Sequence, residues 1–141
     1  MDLNKFHARG FTLIEVMVVV VILSILAAVI VPNIMSRPEQ ARITKAKQDI
    51  RVLESALQTY KLDNYSYPST DQGLDSLVHK PSGQPEPKNW KQGGYIARLP
   101  ADPWGHPYQY LNPGQHGEID VYSLGPDAQS NDDDIGNWNL N

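Results

Sequence analysis

The chain has 141 residues, of which 40% are hydrophobic and 20% are charged, and it contains no cysteine. This length suits one domain and argues against a large two-domain enzyme, while three Trp and seven Tyr provide core area that a disordered chain lacks. The absence of cysteine excludes a disulfide scaffold and cysteine-based zinc sites, and the net charge of −4 includes no basic patch typical of nucleic-acid binding.

The first predicted element is an apolar run over residues 11–31. Its 21 positions contain one charged side chain, Glu15, and two other polar ones. As a helix the run would rise about 31 Å, which matches a bilayer hydrocarbon core of about 30 Å. Lys5 and Arg9 precede it and favour a cytoplasmic N-terminus. A secretory signal peptide is the alternative, but the run is long for one and no A-x-A cleavage site follows it. The pattern therefore favours a signal-anchored protein with a single span.

Glu15 is the anomalous residue of this run, because a carboxylate inside a spanning helix costs roughly 2.5–3.5 kcal/mol and usually has a partner. One interpretation places Glu15 at the cytoplasmic headgroups, where it stays hydrated. The other requires a cation at the same depth. Cleavage after Gly10 would create that cation, since the α-amine of Phe11 would lie four residues from Glu15. Between staggered helices, the amine of one chain could then meet the carboxylate of another and set their register.

Residues 5–15 resemble the leader and N-methylation motif of type IV pilins and pseudopilins. Gly10 matches the last leader position, Phe11 the first mature residue and Glu15 the fifth. The resemblance implies that residues 1–10 are a leader, that a prepilin peptidase cuts between Gly10 and Phe11, and that it N-methylates Phe11.

Two prolines follow the apolar run, and their rings remove helical hydrogen bonds. A membrane helix that simply ends at Val31 is one interpretation of Pro32 and Pro38. The resemblance instead implies a long continuous helix in the subunit, loosened near Pro32 when the subunit packs into a filament.

An amphipathic helix is predicted over about residues 39–61. Apolar positions recur at steps of three and four, as in a helix with one buried face. They are Ile43, Ala46, Ile50, Leu53, Leu57 and Tyr60. The stripe covers about three heptads, so packing on the domain's own sheet is favoured over a coiled coil.

Residues 62–117 are predicted to be loop-rich, because they contain most of the Pro and Gly. A short helix is expected at 71–79 and short strands at 94–96 and 108–111. Residues 118–124 alternate polar and apolar side chains, which predicts a half-buried antiparallel strand. A long helix followed by short antiparallel strands indicates an α+β fold with the helix across one sheet face.

The sequence contains no catalytic constellation. The four His have no zinc-site spacing, no Ser lies in a G-x-S-x-G setting, and no phosphate-binding loop occurs, so we expect no enzyme. Asp127, Asp132, Asp133 and Asp134 lie close together among turn-forming residues. Such a loop supplies the oxygen ligands that calcium prefers, although a solvated acidic turn is an equal alternative from spacing alone.

Further segments resemble the major pseudopilins of the type II secretion system, the general secretion pathway protein G family. They include Leu-Pro-Ala-Asp-Pro-Trp-Gly at 99–105, Tyr-Ser-Leu-Gly-Pro-Asp at 122–127 and Asp-Ile-Gly-Asn-Trp at 134–138, and the resemblance spans residues 10–138. It implies a type IV pilin-like fold in residues 32–141, with the sheet and a calcium loop in 118–138. Carried over by residue, the implied calcium ligands are Leu124 through its carbonyl, Asp127, Asn131, Asp133 and Asp134.

The function implied by the resemblance is structural. Copies of the chain would form a helical homopolymer, the pseudopilus, which drives export of folded proteins across the outer membrane. The implied partners are the prepilin peptidase, minor pseudopilins and an inner-membrane assembly platform, with a single pass through the inner membrane of a Gram-negative cell and a periplasmic C-terminal domain. A type IV pilin of an adhesive or DNA-uptake pilus is the main alternative, and a signal-anchored calcium-dependent enzyme is a third.

Overall fold

A computed structural model describes residues 9–130 and 133–141, with side chains at all of these positions except 30–37. Its contacts divide the chain into two compact units, Met1–Glu39 and Gln40–Asn141. The elements in chain order are helix α1 (Leu13–Asn64), a 3-10 helix (Leu74–Leu77), and strands β1 (Gln109–Leu111), β2 (Asp120–Ser123) and β3 (Ile135–Gly136). This is the predicted α+β class.

Helix α1 is continuous through both prolines, as the resemblance implied, and it does not end at Val31. It extends three residues beyond the predicted end at 61. Thr12 precedes its first turn and accepts the Glu15 backbone N–H at its hydroxyl oxygen, at 3.3 Å. An N-cap side chain of this kind satisfies one of the four N–H groups that a helix start leaves unpaired, which explains why the helix begins at Leu13.

The apolar side chains from Phe11 to Val29 are exposed in the isolated chain. Over the part of the chain that is described, no helix meets the length and hydropathy of a membrane span.

The second unit is organised by the apolar stripe of α1. Ile50, Leu53 and Leu57 are fully buried and Tyr60 is 1% exposed, so the predicted face is confirmed. They pack with residues of the 3-10 helix and the strands, namely Leu74, Leu77, Tyr108, Tyr110, Ile119 and Val121. Helix α1 therefore packs on the chain's own sheet and does not need a coiled-coil partner to bury this stripe.

The sheet is an antiparallel meander in the order β1-β2-β3. Tyr110 lies opposite Val121 in the first pair, and Ser123 lies opposite Ile135 in the second. Strands β1 and β2 fall within the predicted segments. Strand β3 was not predicted, because its two residues are too few to display an alternating pattern.

The predicted strand at 94–96 is wrong. Gly93 and Gly94 have φ of 92° and 85°, which an extended strand does not allow. The Gly94 N–H donates to the Lys91 carbonyl at 2.9 Å, and the Tyr95 N–H donates to the Leu77 carbonyl at 2.7 Å. The segment is thus a turn fastened to the 3-10 helix. The short helix predicted at 71–79 is observed only as the four-residue 3-10 helix Leu74–Leu77.

Gly136 in β3 is buried beneath the indole of Trp138. A Cβ at this position would lie 2.3 Å from the nearest Trp138 ring atom. Strand β3 can therefore pass under the ring only if residue 136 has no side chain.

We expect Gly136→Ala to destabilise the fold by about 1–3 kcal/mol, the usual range for overpacking. Urea unfolding of the full chain in detergent measures this. Gly117→Ala is the matched control, since the nearest atom to a Cβ there lies 3.9 Å away. Equal stability of the two variants would contradict the close packing of β3 under the indole.

Candidate functional site

The predicted cleavage site lies just before α1. Gly10 and Phe11 are outside the helix, and Phe11 is 83% exposed. A Cβ at Gly10 would meet no atom within 4 Å. Packing among the described residues does not require a glycine here, so a requirement for Gly10 would have to come from a protein that acts on this segment.

Glu15 is exposed in the first turn of α1, three residues after the capping residue Thr12. Thr-x-x-Glu is the capping-box pattern, and a negative charge in the first helical turn interacts favourably with the helix dipole. This local role was not predicted from the sequence. Glu15 can therefore support the helix start, and this role has to be separated experimentally from any contact with a second chain.

The acidic loop, residues 124–134, connects β2 to β3. Asp127 lies at its exposed turn and accepts the Gln129 N–H at 3.0 Å, while Gly125 and Ala128 have φ of 70° and 55°. Asp133 is exposed as well. The predicted ligand Asn131 lies outside the described residues.

Asp134 differs from the other predicted ligands because it is only 6% exposed. Its Oδ2 lies 3.4 Å from the Ser130 hydroxyl, and its Oδ1 is buried with no hydrogen-bond partner among the described atoms. A buried carboxylate oxygen without a partner is unfavourable, since its desolvation is not offset. Within residues 9–130 and 133–141, however, no three His, Asp or Glu side chains are grouped closely enough to hold a metal ion. The loop thus brings one predicted carboxylate into the interior and leaves Asp127 and Asp133 at the surface.

A polar cavity of about 300 Å³ lies beside Asp134. It is lined by Leu111, Gln115, His116, Asp120, Tyr122, Ser130, Asp134 and Trp138. One wall is aromatic, because the His116 and Trp138 rings stack with centroids 3.7 Å apart and planes inclined by 11°. Three parts of the chain therefore meet at this cavity: residues 112–118, strand β2, and the C-terminal segment, residues 137–141.

Asp120 is the second buried carboxylate at the cavity, and it is 1% exposed. It accepts the Gln115 N–H at 2.8 Å and lies 3.0 Å from the His116 ring nitrogen. Burial alone would raise the pKa of Asp120, but hydrogen bonds from the His116 ring and from the Gln115 and His116 backbone outweigh burial and lower that pKa. Both oxygens of Asp120 accept hydrogen bonds, so the buried carboxylate is stabilised without a bound cation.

Two asparagines after β3 hold the end of the acidic loop. The Asn139 side chain donates to the Asp134 carbonyl at 2.9 Å and accepts the Gly136 N–H at 2.9 Å. The Asn137 side chain donates to the Ile119 carbonyl at 3.0 Å. The backbone of Asp134 is thus fixed by contacts that spacing in the sequence did not reveal.

The oxygen atoms at the acidic loop are of the kind that calcium binds. Calcium takes carboxylate and carbonyl oxygens in flexible geometry, and Asp134 offers a buried carboxylate oxygen that lacks a partner among the described atoms. Leu124 adds a backbone carbonyl at the start of the same loop. The donor atoms are all oxygen, which suits calcium better than zinc or copper.

Comparison with protein families gives two matches. Residues 33–138 match the family "Type II secretion system (T2SS), protein G", and residues 5–31 match the "Prokaryotic N-terminal methylation motif". Together these matches extend from Lys5 to Trp138.

Individual relatives give the same result. The type II secretion system core protein G of Pseudomonas aeruginosa is 62% identical, over 96% of this chain and 99% of that protein. The protein of the same name from Aeromonas hydrophila is 59% identical, over 98% and 97%. Among solved structures, the major pseudopilin from the type 2 secretion system of enterohaemorrhagic Escherichia coli is 55% identical, with a TM-score of 0.71 over 76% of this chain and 95% of that chain.

The lowered pKa of Asp120 predicts a pH-dependent contribution to stability. A carboxylate whose folded-state pKa lies below its ordinary value near 3.9 stabilises the fold above that value, and the contribution is lost as pH falls through the folded-state pKa. Wild type should therefore be more stable than Asp120→Asn at about pH 6, and the difference should shrink as pH falls below about 4.

Denaturant unfolding of both proteins across this pH range measures the difference. Asp71→Asn, at an exposed carboxylate, is the control and should be close to wild type throughout. A stability difference for Asp120→Asn that is the same at about pH 6 and about pH 3 would contradict the ionic role of Asp120.

Proposed function

Because the chain belongs to the type II secretion system protein G family, we propose that it assembles with copies of itself through residues 11–31, the apolar segment at its N-terminal end. Its function is that of a structural major subunit of the type II secretion pseudopilus. The observation that carries this conclusion is identity near 60% over almost the whole chain, together with the methylation motif at residues 5–31. The relatives are named for type II secretion, so a type IV pilin of another system is not favoured.

The finer proposal concerns location and partners. The exposed apolar side chains from Phe11 to Val29 would be covered by inner-membrane lipid before assembly and by neighbouring subunits afterwards. The unit Gln40–Asn141 would then lie in the periplasm. A prepilin peptidase would act first, and minor pseudopilins and an inner-membrane assembly platform would be the later partners.

Processing is supported by the placement of Gly10 and Phe11 ahead of the helix. A protease binds its substrate in an extended form, and the exposed segment before Leu13 leaves the Gly10–Phe11 bond outside the helical hydrogen-bond pattern. Cleavage would leave an amine on Phe11, which N-methylation keeps positively charged.

Glu15 would be the partner of that amine on another chain. Its carboxylate is exposed in the isolated subunit, so assembly would transfer it into surroundings of low dielectric constant. An unpaired charge is strongly unfavourable there, whereas a cation at the same depth offsets the loss of hydration. This requirement would select the helix stagger that brings amine and carboxylate together.

The acidic loop would hold calcium. Asp134 would bind through the oxygen that has no partner among the described atoms, with Asp127, Asp133 and the Leu124 carbonyl as further ligands and Asn131 as an expected one. Bound calcium supplies positive charge to three neighbouring carboxylates. The exposed positions of Asp127 and Asp133 mean that the loop would have to close around the ion, which would fasten the C-terminal segment to β2.

We expect Gly10→Val to block processing, because a branched side chain at the cleaved bond would obstruct the peptidase, whereas a Cβ at this position meets no described atom within 4 Å. Mass spectrometry of the protein from cells with an active secretion system should find the precursor that starts at Met1. Arg9→Lys keeps the leader charge and should be processed to Phe11. A mature Gly10→Val product would contradict the proposal.

For Glu15 we expect Glu15→Gln to impair assembly and secretion as strongly as Glu15→Val does. Both variants keep the backbone N–H that donates to Thr12, and Gln also keeps the size and polarity of the Glu side chain, so Glu15→Gln isolates the effect of removing the charge. Pseudopilus formation on overexpression and the amount of exported protein measure the effect. Normal assembly of Glu15→Gln would show that the charge is not needed.

Calcium should raise the melting temperature of the full chain in detergent relative to chelator. A ligand at 100 times its Kd stabilises the folded state by about 2.7 kcal/mol. Asp134→Asn should remove the difference, and Asp71→Asn should retain it. Magnesium should substitute poorly, because it demands a tighter octahedral geometry. Equal melting of wild type in calcium and chelator would contradict the proposal.

A further inference from the structure

The hydroxyl of Ser123 forms two hydrogen bonds at the point where β2 enters the acidic loop. Ser123 is completely buried. Its hydroxyl donates to Asp102 Oδ2 at 2.7 Å, and its oxygen accepts the Gly125 N–H at 3.1 Å. One side chain therefore connects the start of the loop to a carboxylate on a separate segment.

Asp102 is itself held rigidly. It is 4% exposed, and its Oδ1 accepts the N–H groups of Trp104 at 3.1 Å and His106 at 2.7 Å. Its own N–H donates to the His106 carbonyl at 2.8 Å. A carboxylate can only accept hydrogen bonds, so the Ser123 hydroxyl must donate its hydrogen to Asp102 Oδ2. The Ser123 oxygen is then available to accept the Gly125 N–H.

The bond to Gly125 has a consequence for the preceding residue. The Gly125 N–H and the Leu124 C=O belong to one peptide group, and in a planar trans peptide they point in opposite directions. Fixing the N–H on Ser123 therefore also fixes the direction of the Leu124 carbonyl. This carbonyl is the calcium ligand proposed at the start of the loop.

We propose that Asp102 and Ser123 are positioning residues for calcium, because they hold the Leu124–Gly125 peptide in the orientation that presents the Leu124 carbonyl to the ion. This inference rests on the proposed calcium site. Groups that orient metal ligands without touching the metal typically change metal affinity by about 10–100-fold when they are removed.

The first test uses the full chain in detergent with Ser123→Ala. Competition with a calcium-binding dye should give a calcium Kd at least about tenfold higher than that of wild type. In chelator, amide hydrogen exchange of Gly125 should be faster than in wild type, because its N–H has lost its acceptor. This second measurement does not depend on calcium.

Ser76→Ala is the matched control. Ser76 is 1% exposed, and its hydroxyl donates to the Gln72 carbonyl at 3.1 Å, so the variant also loses a buried serine hydroxyl. It should lower the melting temperature in chelator as a structural change does, yet leave the calcium Kd and Gly125 exchange as in wild type.

Asp102→Asn provides a second variant of nearly the same shape. The Asn oxygen can still accept from Trp104 and His106, but its amide would donate to Ser123 and compete with the Gly125 N–H. It should also weaken calcium binding and speed Gly125 exchange, and it decides the question if Ser123→Ala fails to fold.

The outcomes separate the two proposals. If wild type binds no calcium, the calcium site is wrong and the positioning role falls with it. If wild type binds calcium and both variants bind it with the wild-type Kd, the positioning role alone is overturned. The positioning role is also overturned if the control Ser76→Ala weakens calcium binding as much as Ser123→Ala and Asp102→Asn do.

Discussion

The burial of one apolar stripe of α1 is the interaction on which the rest of the structure depends. The three strands contain three, four and two residues, too few to form a stable sheet without a second layer. Ile50, Leu53 and Leu57 supply that layer and are fully buried. With no cysteine in the chain, the long connections between these elements are held by packing against the core and by hydrogen bonds of buried polar groups.

Three buried carboxylates, Asp102, Asp120 and Asp134, lie at connections near the strands. Asp102 fixes the turn before β1 and the end of β2, and Asp120 fixes residues 115–116. Both carboxylates are fully supplied with donors. Asp134 lies between the acidic loop and β3 in the same interior, but its Oδ1 has no donor in the part of the chain that the structure describes. Our central proposal is that the chain supplies donors to two of these buried carboxylates and that the third is completed by a ligand.

The sequence predicted the features that depend on local patterns. Periodicity predicted the apolar stripe of α1 and strands β1 and β2. A short motif points to cleavage between Gly10 and Phe11, which stays a prediction. The predicted strand at 94–96 failed because two glycines with positive φ turn the chain toward Leu77, a contact distant in sequence. Strand β3 was missed because two residues are too few to display an alternating pattern. The hydrogen bond between Ser123 and Asp102 was missed because it joins segments that are distant in sequence. The Thr12 cap is local and could have been recognised from Thr-x-x-Glu.

The most direct test of the central proposal is carboxyl carbon NMR of the three buried aspartates during a calcium titration. The chain should first be observed in chelator, and calcium should then be added to saturation. We predict a large change in the side-chain Cγ shift of Asp134, with the Cγ shifts of Asp102 and Asp120 nearly constant, because their oxygens already have donors. An unchanged Asp134 signal, or equal changes at all three carboxylates, would contradict the proposal.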